Sequence, residues 1–140
     1  MTDTHNEIEE FLNQSIGFAE QMLRKFGDFY PYAVAKRLDG EFTMMSAQGD
    51  DENPDPAELV AAFEQELREG AQKGEFVATA IVYDVTIPLP PDDVESRAIG
   101  ISLDHKESES LVIYMPYELD GEQISVGETF VQEGEDKIFA

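Results

Sequence analysis

Apolar side chains recur at helical spacing near the start of the chain. The stripe consists of Ile8, Phe11, Leu12, Ile16, Ala19, Met22, Leu23 and Phe26. Because three or four residues separate most neighbouring members, the pattern predicts an amphipathic helix. Thr4 and Glu7 have the spacing of a capping box, and Gly27 is typical of a helix end. We therefore expect the helix to start at a cap on Thr4 and to stop before Gly27.

A second helix is indicated further along the chain. Its stripe is Leu59, Val60, Phe63, Leu67 and Ala71. Asp55 is a suitable N-cap, Pro56 suits the first helical position because its missing N–H has no partner there, and Glu58 completes the box. Gly74 marks the expected end.

Between and after the helices, the pattern changes to that of strands. Segments 32–38 and 41–47 flank Asp39-Gly40, which predicts a β-hairpin with a two-residue turn. Segment 75–87 is apolar on both faces, as in a central strand, and Pro88 to Asp93 predicts a loop. A strand follows in which large residues (Ile99, Ile101, Leu103) alternate with small ones (Ala98, Gly100, Ser102). We expect a helix or another backbone to approach its small face closely. Segment 111–117 predicts another strand, and segment 124–131 one more.

The order of these elements is αββαβββ with an additional strand in the tail. It predicts an α+β fold with a single, mainly antiparallel sheet of five to six strands and both helices on one face. A length of 140 residues, of which 41% are hydrophobic and 10% aromatic, suits one domain over residues 1–140.

Two resemblances accompany this pattern. The order of a long helix, a hairpin, a second helix and a meander resembles roadblock- and profilin-like domains in topology. Short segments resemble a group of small acidic bacterial proteins of unknown function: Phe29-Tyr30-Pro31-Tyr32, Leu38-Asp39-Gly40, Tyr83-Asp84-Val85, Met115-Pro116-Tyr117 and Gly127-Glu128-Thr129-Phe130. The first resemblance implies a fold, and the second implies a bacterial origin. Neither implies an activity, a cofactor or a site.

The net charge of the chain restricts its possible partners more than any other feature of the sequence. Nine basic residues against 31 acidic ones give a net charge of −22. Phosphate backbones and anionic lipids are repelled over a Debye length of about 8 Å at physiological salt, so we expect neither nucleic acid nor a membrane as partner. A basic protein partner is the hypothesis that the charge favours, with neutralisation of a toxin by an immunity-type protein as its concrete form.

The partner-binding residues predicted for this role are the acidic residues that lead into the second helix, namely Asp50, Asp51, Glu52, Asp55 and Glu58. The stretch lacks the residue order of a calcium-binding EF-hand loop. A solvated loop with helix-capping acids fits the same residues without any partner. Acidity of this kind also occurs as surface solvation in salt-loving organisms.

An enzyme is the alternative hypothesis, and it rests on Asp84, Asp104 and His105. If the hairpin around Pro91 brings them together, two carboxylates and an imidazole could hold a metal ion for a metal-assisted hydrolase or form a small-ligand site. Structural aspartates at strand ends give the same pattern. The chain contains no cysteine, which excludes thiolate metal sites and the zinc site of nucleoside deaminases. No nucleophile elbow, P-loop or dinucleotide motif is present.

We therefore expect a non-enzymatic protein without a cofactor. The polar N-terminus and the lack of a long apolar run predict a cytoplasmic location. The apolar positions on both faces of segment 111–117 further predict a homodimer, formed through the sheet face or an edge strand.

Overall fold

The computed structural model describes residues 2–46, 55–89, 91–106, 110–121, 123–134 and 138, with side chains from residue 8 onward. It contains two helices, α1 (Thr2–Phe26) and α2 (Pro56–Gln72). Its seven strands are β1 (Tyr32–Arg37), β2 (Phe42–Met45), β3 (Phe76–Leu89), β4 (Val94–His105), β5 (Leu111–Asp120), β6 (Gln123–Val126) and β7 (Phe130–Glu133). The α+β class and the element order predicted from the sequence are confirmed.

All strand pairs of the sheet are antiparallel, and the strand order is β2-β1-β3-β4-β5-β6. β7 pairs with the first half of β5, and β6 pairs with its second half. The single tail strand expected from the sequence is therefore two short strands, which share β5 as their neighbour. The Gly127 amide donates to the Pro116 carbonyl at 2.8 Å, which keeps the chain beside β5 between β6 and β7.

The two helices cover opposite faces of the sheet. On one face, α1 packs over alternate residues of the central strands, including Val82, Ile101 and Leu103. On the other face, Phe63 and Leu67 of α2 pack on a second cluster, which also contains Ile138. The expectation that both helices share one face is wrong. The helices lie on opposite faces because β3 is apolar on both of its faces, and each face is covered by one helix.

Helix α2 covers only part of its face because it packs on β1 and β3. On the same side, the strands β4, β5 and β7 carry smaller or polar side chains, and a groove lies between them and α2.

Several ends of the elements differ from the sequence prediction. α1 begins at Thr2, so Thr4 lies inside the helix instead of capping it. The hairpin between β1 and β2 has a three-residue turn, because the Arg37 amide donates to the Glu41 carbonyl and Gly40 adopts a φ of 91°. Only Gly40 has a positive φ there, whereas the predicted two-residue turn would need it at Asp39 as well.

β3 extends past its predicted end and includes Pro88, which pairs in register with Glu95. Proline is tolerated there because β1 pairs only with residues 76–82 of β3, so the second half of β3 has a free edge. Neither described helix is long and apolar enough to cross a membrane.

Candidate functional site

Asp84, the acid on the apolar central strand, belongs to a polar cluster on the α1 face. Its Oδ2 accepts a hydrogen bond from Arg97 Nη2 at 2.6 Å, and its Oδ1 accepts one from the Tyr117 hydroxyl at 2.8 Å. Arg97 Nη2 also donates to the Gly27 carbonyl at 2.8 Å. The guanidinium lies 5.1 Å from the centre of the Tyr117 ring. The cluster therefore links β3, β4 and β5 to the end of α1, and a structural role accounts for Asp84.

The structure does not bring Asp84, Asp104 and His105 together. The enzyme hypothesis expected these three side chains to meet, and that expectation is wrong. Asp84 pairs with Ile99, whereas His105 pairs with Ala78, so about 20 Å separates these positions along the strands. Asp84 and His105 lie on the α1 face of the sheet, whereas Asp104 lies on the α2 face. Among the described residues, no group of three His, Cys, Asp or Glu side chains is placed to hold a metal ion.

The acidic stretch before α2 is described only in part. Asp50, Asp51 and Glu52 lie outside the described residues. Asp55 is the N-cap of α2, and its Oδ1 accepts from the Ala57 amide at 3.0 Å. Glu58 is exposed in the first turn. Asp55 therefore has the structural role of a capping acid, and both side chains remain accessible to a partner.

The groove beside α2, which we call the β4 groove, has a volume of about 380 Å³. Its floor is formed by Ile81, Tyr83, Ser102, Asp104, Val112 and Tyr114. Tyr83, Gly100 and Tyr114 are direct neighbours across β3, β4 and β5, and Ser102 and Asp104 follow Gly100 along β4 on the same face. Asp104 is 3% exposed, whereas both tyrosines are half-buried. The groove therefore has a deep carboxyl end and a more open aromatic end.

The walls of the β4 groove come from α2, from β7 and from the residues next to β5 and β7. They are formed by Val60, Glu64, Ser110, Gln132, Glu133 and Gly134. No lysine, arginine or histidine is among the lining residues in the described part of the chain. The groove thus combines the acidic residues Glu64 and Asp104 with two tyrosines and an apolar middle section. The Glu133 side chain lies on the other face of the sheet, because Glu133 pairs with Leu111.

Gly100 gives Tyr83 its position in the groove. A Cβ atom at residue 100 would lie 2.3 Å from Tyr83 Cε2, so the ring occupies the space where another side chain would stand. Tyr83 and Tyr114 flank Gly100 from the two neighbouring strands. Burial raises the pKa of Tyr83, and the neighbouring Tyr114 raises it further. Tyr83 is therefore held in place at Gly100 and stays uncharged at neutral pH.

Asp104 is among the site residues predicted from the sequence, whereas the β4 groove was not predicted. The small residues Ala98, Gly100 and Ser102 did predict that another group approaches that face of β4 closely. That group is the Tyr83 ring at Gly100, where a helix or backbone was expected. The position of α2, which leaves the groove open, had no signal in the sequence.

Comparisons with protein-family models, with curated proteins and with solved structures found no match to this chain.

Proposed function

We propose that this chain is a non-enzymatic, cytoplasmic bacterial protein that binds a basic protein and neutralises it, as an immunity-type protein does. The observation that supports the proposal is the acidic surface. Apart from the buried Asp104, every acidic side chain in the described part of the chain from residue 8 onward is exposed or half-buried, and the net charge is −22.

Intramolecular ion pairs already engage some of the few cations. Arg97 pairs with Asp84 at 2.6 Å, and Arg24 lies 3.9 Å from Glu20. The field outside the protein is therefore dominated by carboxylates. Such a field attracts a basic partner and can raise the association rate by one or more orders of magnitude at low salt. Fast association suits an inhibitor that must act before damage occurs.

The proposal predicts salt-sensitive capture of a basic protein. The immobilised chain should recover a basic protein from a lysate of its source organism at low salt, and it should release that protein above a few hundred millimolar salt. The purified partner should then associate about ten-fold or more faster at low salt, because screening removes the steering. Stopped-flow measurement of the association rate checks this.

Two results would contradict the proposal. One is recovery of chaperones only. The other is a chain whose stability rises steeply with salt while no partner is captured, which would favour surface solvation in a salt-loving organism. Glu58→Gln removes one exposed charge from the predicted partner-binding residues. We expect it to weaken binding of the partner only slightly.

We also propose a homodimer, formed by antiparallel pairing of β2 with the same strand of a second copy. β2 is an edge strand without a charged residue, and Phe42 and Met44 are exposed. Uncharged edge strands favour pairing between chains. Because each copy carries −22, we expect the dimer to strengthen as salt is added. Sedimentation equilibrium at low and high salt measures this, with Met44→Lys as the disrupting variant. A mass of 15.7 kDa under both conditions would exclude the dimer.

A further inference from the structure

The second half of β3 has a free backbone edge, which we call the β3 edge (residues 83–89). In the described part of the chain, β1 pairs with residues 76–82 of β3, and β4 is the only strand that pairs with residues 83–89. We infer that the β3 edge is the contact point for the basic partner, which adds an extended segment to the sheet as a further strand. The inference rests on the proposed function and narrows it from an acidic surface to one edge. The proposed homodimer uses a different edge, that of β2.

The backbone groups of the β3 edge face the free side at alternate residues. The Lys106 amide donates to the Val77 carbonyl at 2.8 Å, so the odd-numbered residues of β3 turn their backbone groups to β4. The register with β4 continues without a shift to the end of β3, which places the N–H and C=O of Asp84 and Thr86 on the free side. The C=O of Pro88 lies there as well, and its missing N–H is on the side where no strand needs it. The β3 edge therefore offers both donors and acceptors to an added strand.

The side chains of the β3 edge differ between the two faces of the sheet. Val85 and Ile87 are half-buried on the α2 face, where they continue the row of the buried Ile81. Thr86 is exposed on the α1 face. An added strand would therefore gain apolar contacts on the α2 face and remain polar on the other face. This is the alternating pattern of a half-buried strand.

A groove of about 380 Å³ receives the end of the added strand. Tyr83 and Asp84 form its inner side. Its walls are the segment between α1 and β1 and the start of α2, namely Asp28, Phe29, Tyr30, Pro31, Pro56, Ala57 and Val60. Because the first residue of β1, Tyr32, pairs with Val82, a strand on the β3 edge lies in line with β1. One end of the strand therefore enters this groove.

The charges around the β3 edge favour a basic segment. Exposed carboxylates stand near both of its ends: Asp28, Asp55 and Glu58 at the groove, and Asp92, Asp93 and Glu95 at the turn into β4. Arg97 is the single lysine or arginine between residues 76 and 105, and it is engaged with Asp84 and the Gly27 carbonyl. The carboxylates act through their summed field, so a segment with basic residues beside its paired middle is attracted and an acidic one is repelled.

The test uses the full chain and a short peptide in which valine and threonine alternate between two lysines at each end. Calorimetry at low salt measures its affinity. Thr86→Pro removes a donor from the β3 edge, and we expect it to weaken binding about ten-fold or more. Thr86→Val is the matched control, because Thr86 is exposed and valine retains the N–H. The control should change the affinity by less than about two-fold. A peptide with glutamates in place of the lysines should not bind.

Two further measurements on the wild-type chain keep the test valid if Thr86→Pro fails to fold. The first uses two versions of the lysine peptide, in which N-methyl groups block one or the other alternate set of amides. One set should abolish binding and the other should leave it, because only one side of a strand faces its neighbour.

The second measurement is hydrogen exchange followed by NMR. The Asp84 and Thr86 amides should exchange rapidly in the free chain and at least about ten-fold more slowly with saturating peptide. The Val85 amide faces β4 and should be protected in both states, so it serves as the internal control.

The outcomes separate the β3 edge from the general proposal. If the lysine peptide binds but neither Thr86→Pro nor either N-methylated set weakens it, the edge is overturned while the proposed function stands. Equal binding of the glutamate peptide also overturns the inference, since the segment would not need to be basic. The same holds if the Asp84 and Thr86 amides are protected before any peptide is added, because another part of this chain or a second copy then covers the edge. If no peptide binds, the inference fails, whereas salt-sensitive capture of a partner still decides the proposed function.

Discussion

Replacing Tyr32 by phenylalanine should lower the free energy of unfolding by about 2 kcal/mol. The Tyr32 hydroxyl donates to the Ser15 carbonyl and accepts from the Ala19 amide at 3.0 Å. It therefore stands between two backbone groups that would otherwise bond to each other within α1. All three residues are at most 1% exposed, so no solvent replaces the hydroxyl. The variant leaves a buried carbonyl and a buried N–H without their partner.

Tyr30→Phe is the matched control because Tyr30 is 46% exposed and lies two residues away. It should change the stability by less than about 0.5 kcal/mol. Urea denaturation of the two variants and the wild type measures the difference. If Tyr32→Phe is as stable as Tyr30→Phe, α1 closes its own hydrogen bond, and the hydroxyl contributes nothing to the stability.

The chain should also lose stability steeply above pH of about 10. Burial raises the pKa of Tyr32 well above its usual range. Burial and the hydrogen bond to Asp84 do the same for Tyr117. The unfolded chain releases these protons near the ordinary tyrosine pKa, whereas the folded chain retains them. Above that pKa, the folded state therefore binds more protons than the unfolded state does. Stability is therefore complete below that pKa and falls above it, by up to about 1.4 kcal/mol per pH unit for each tyrosine.

Urea midpoints measured at several pH values around 10 give this slope. Lysines also titrate in this range, so the informative comparison is between variants. Tyr32→Phe should give a shallower slope than Tyr30→Phe, since only the former removes a tyrosine with a strongly raised pKa. Equal slopes would show that Tyr32 does not contribute to the alkaline loss of stability.

The Asp84 cluster shows where sequence reasoning reached its limit. The sequence indicated that an acid on a central strand is unusual, and it offered His105 and Asp104 as partners because they follow the same hairpin. The partners are instead Arg97 and Tyr117. Arg97 lies beside Asp84 only because the β3–β4 register is set, and Tyr117 depends on the β4–β5 register as well. Register is a property of the assembled sheet, and a shift of one residue would place these side chains on the other face.

The sequence by itself determined the elements of this protein: the end of α1 at Gly27, the Asp55 cap of α2, the hairpin around Gly40, the central position of β3 and the strongly acidic character. These follow from periodicity, capping and turn chemistry, which act over a few residues. The tertiary structure decided that α1 and α2 take opposite faces, that α2 leaves β4 and β5 uncovered, and that Tyr83 and Tyr114 meet above Gly100. The apolar pattern of β3 requires cover on both faces, but it does not determine which element covers each face or how far that cover extends. Those features depend on which apolar surfaces pack together across the whole chain.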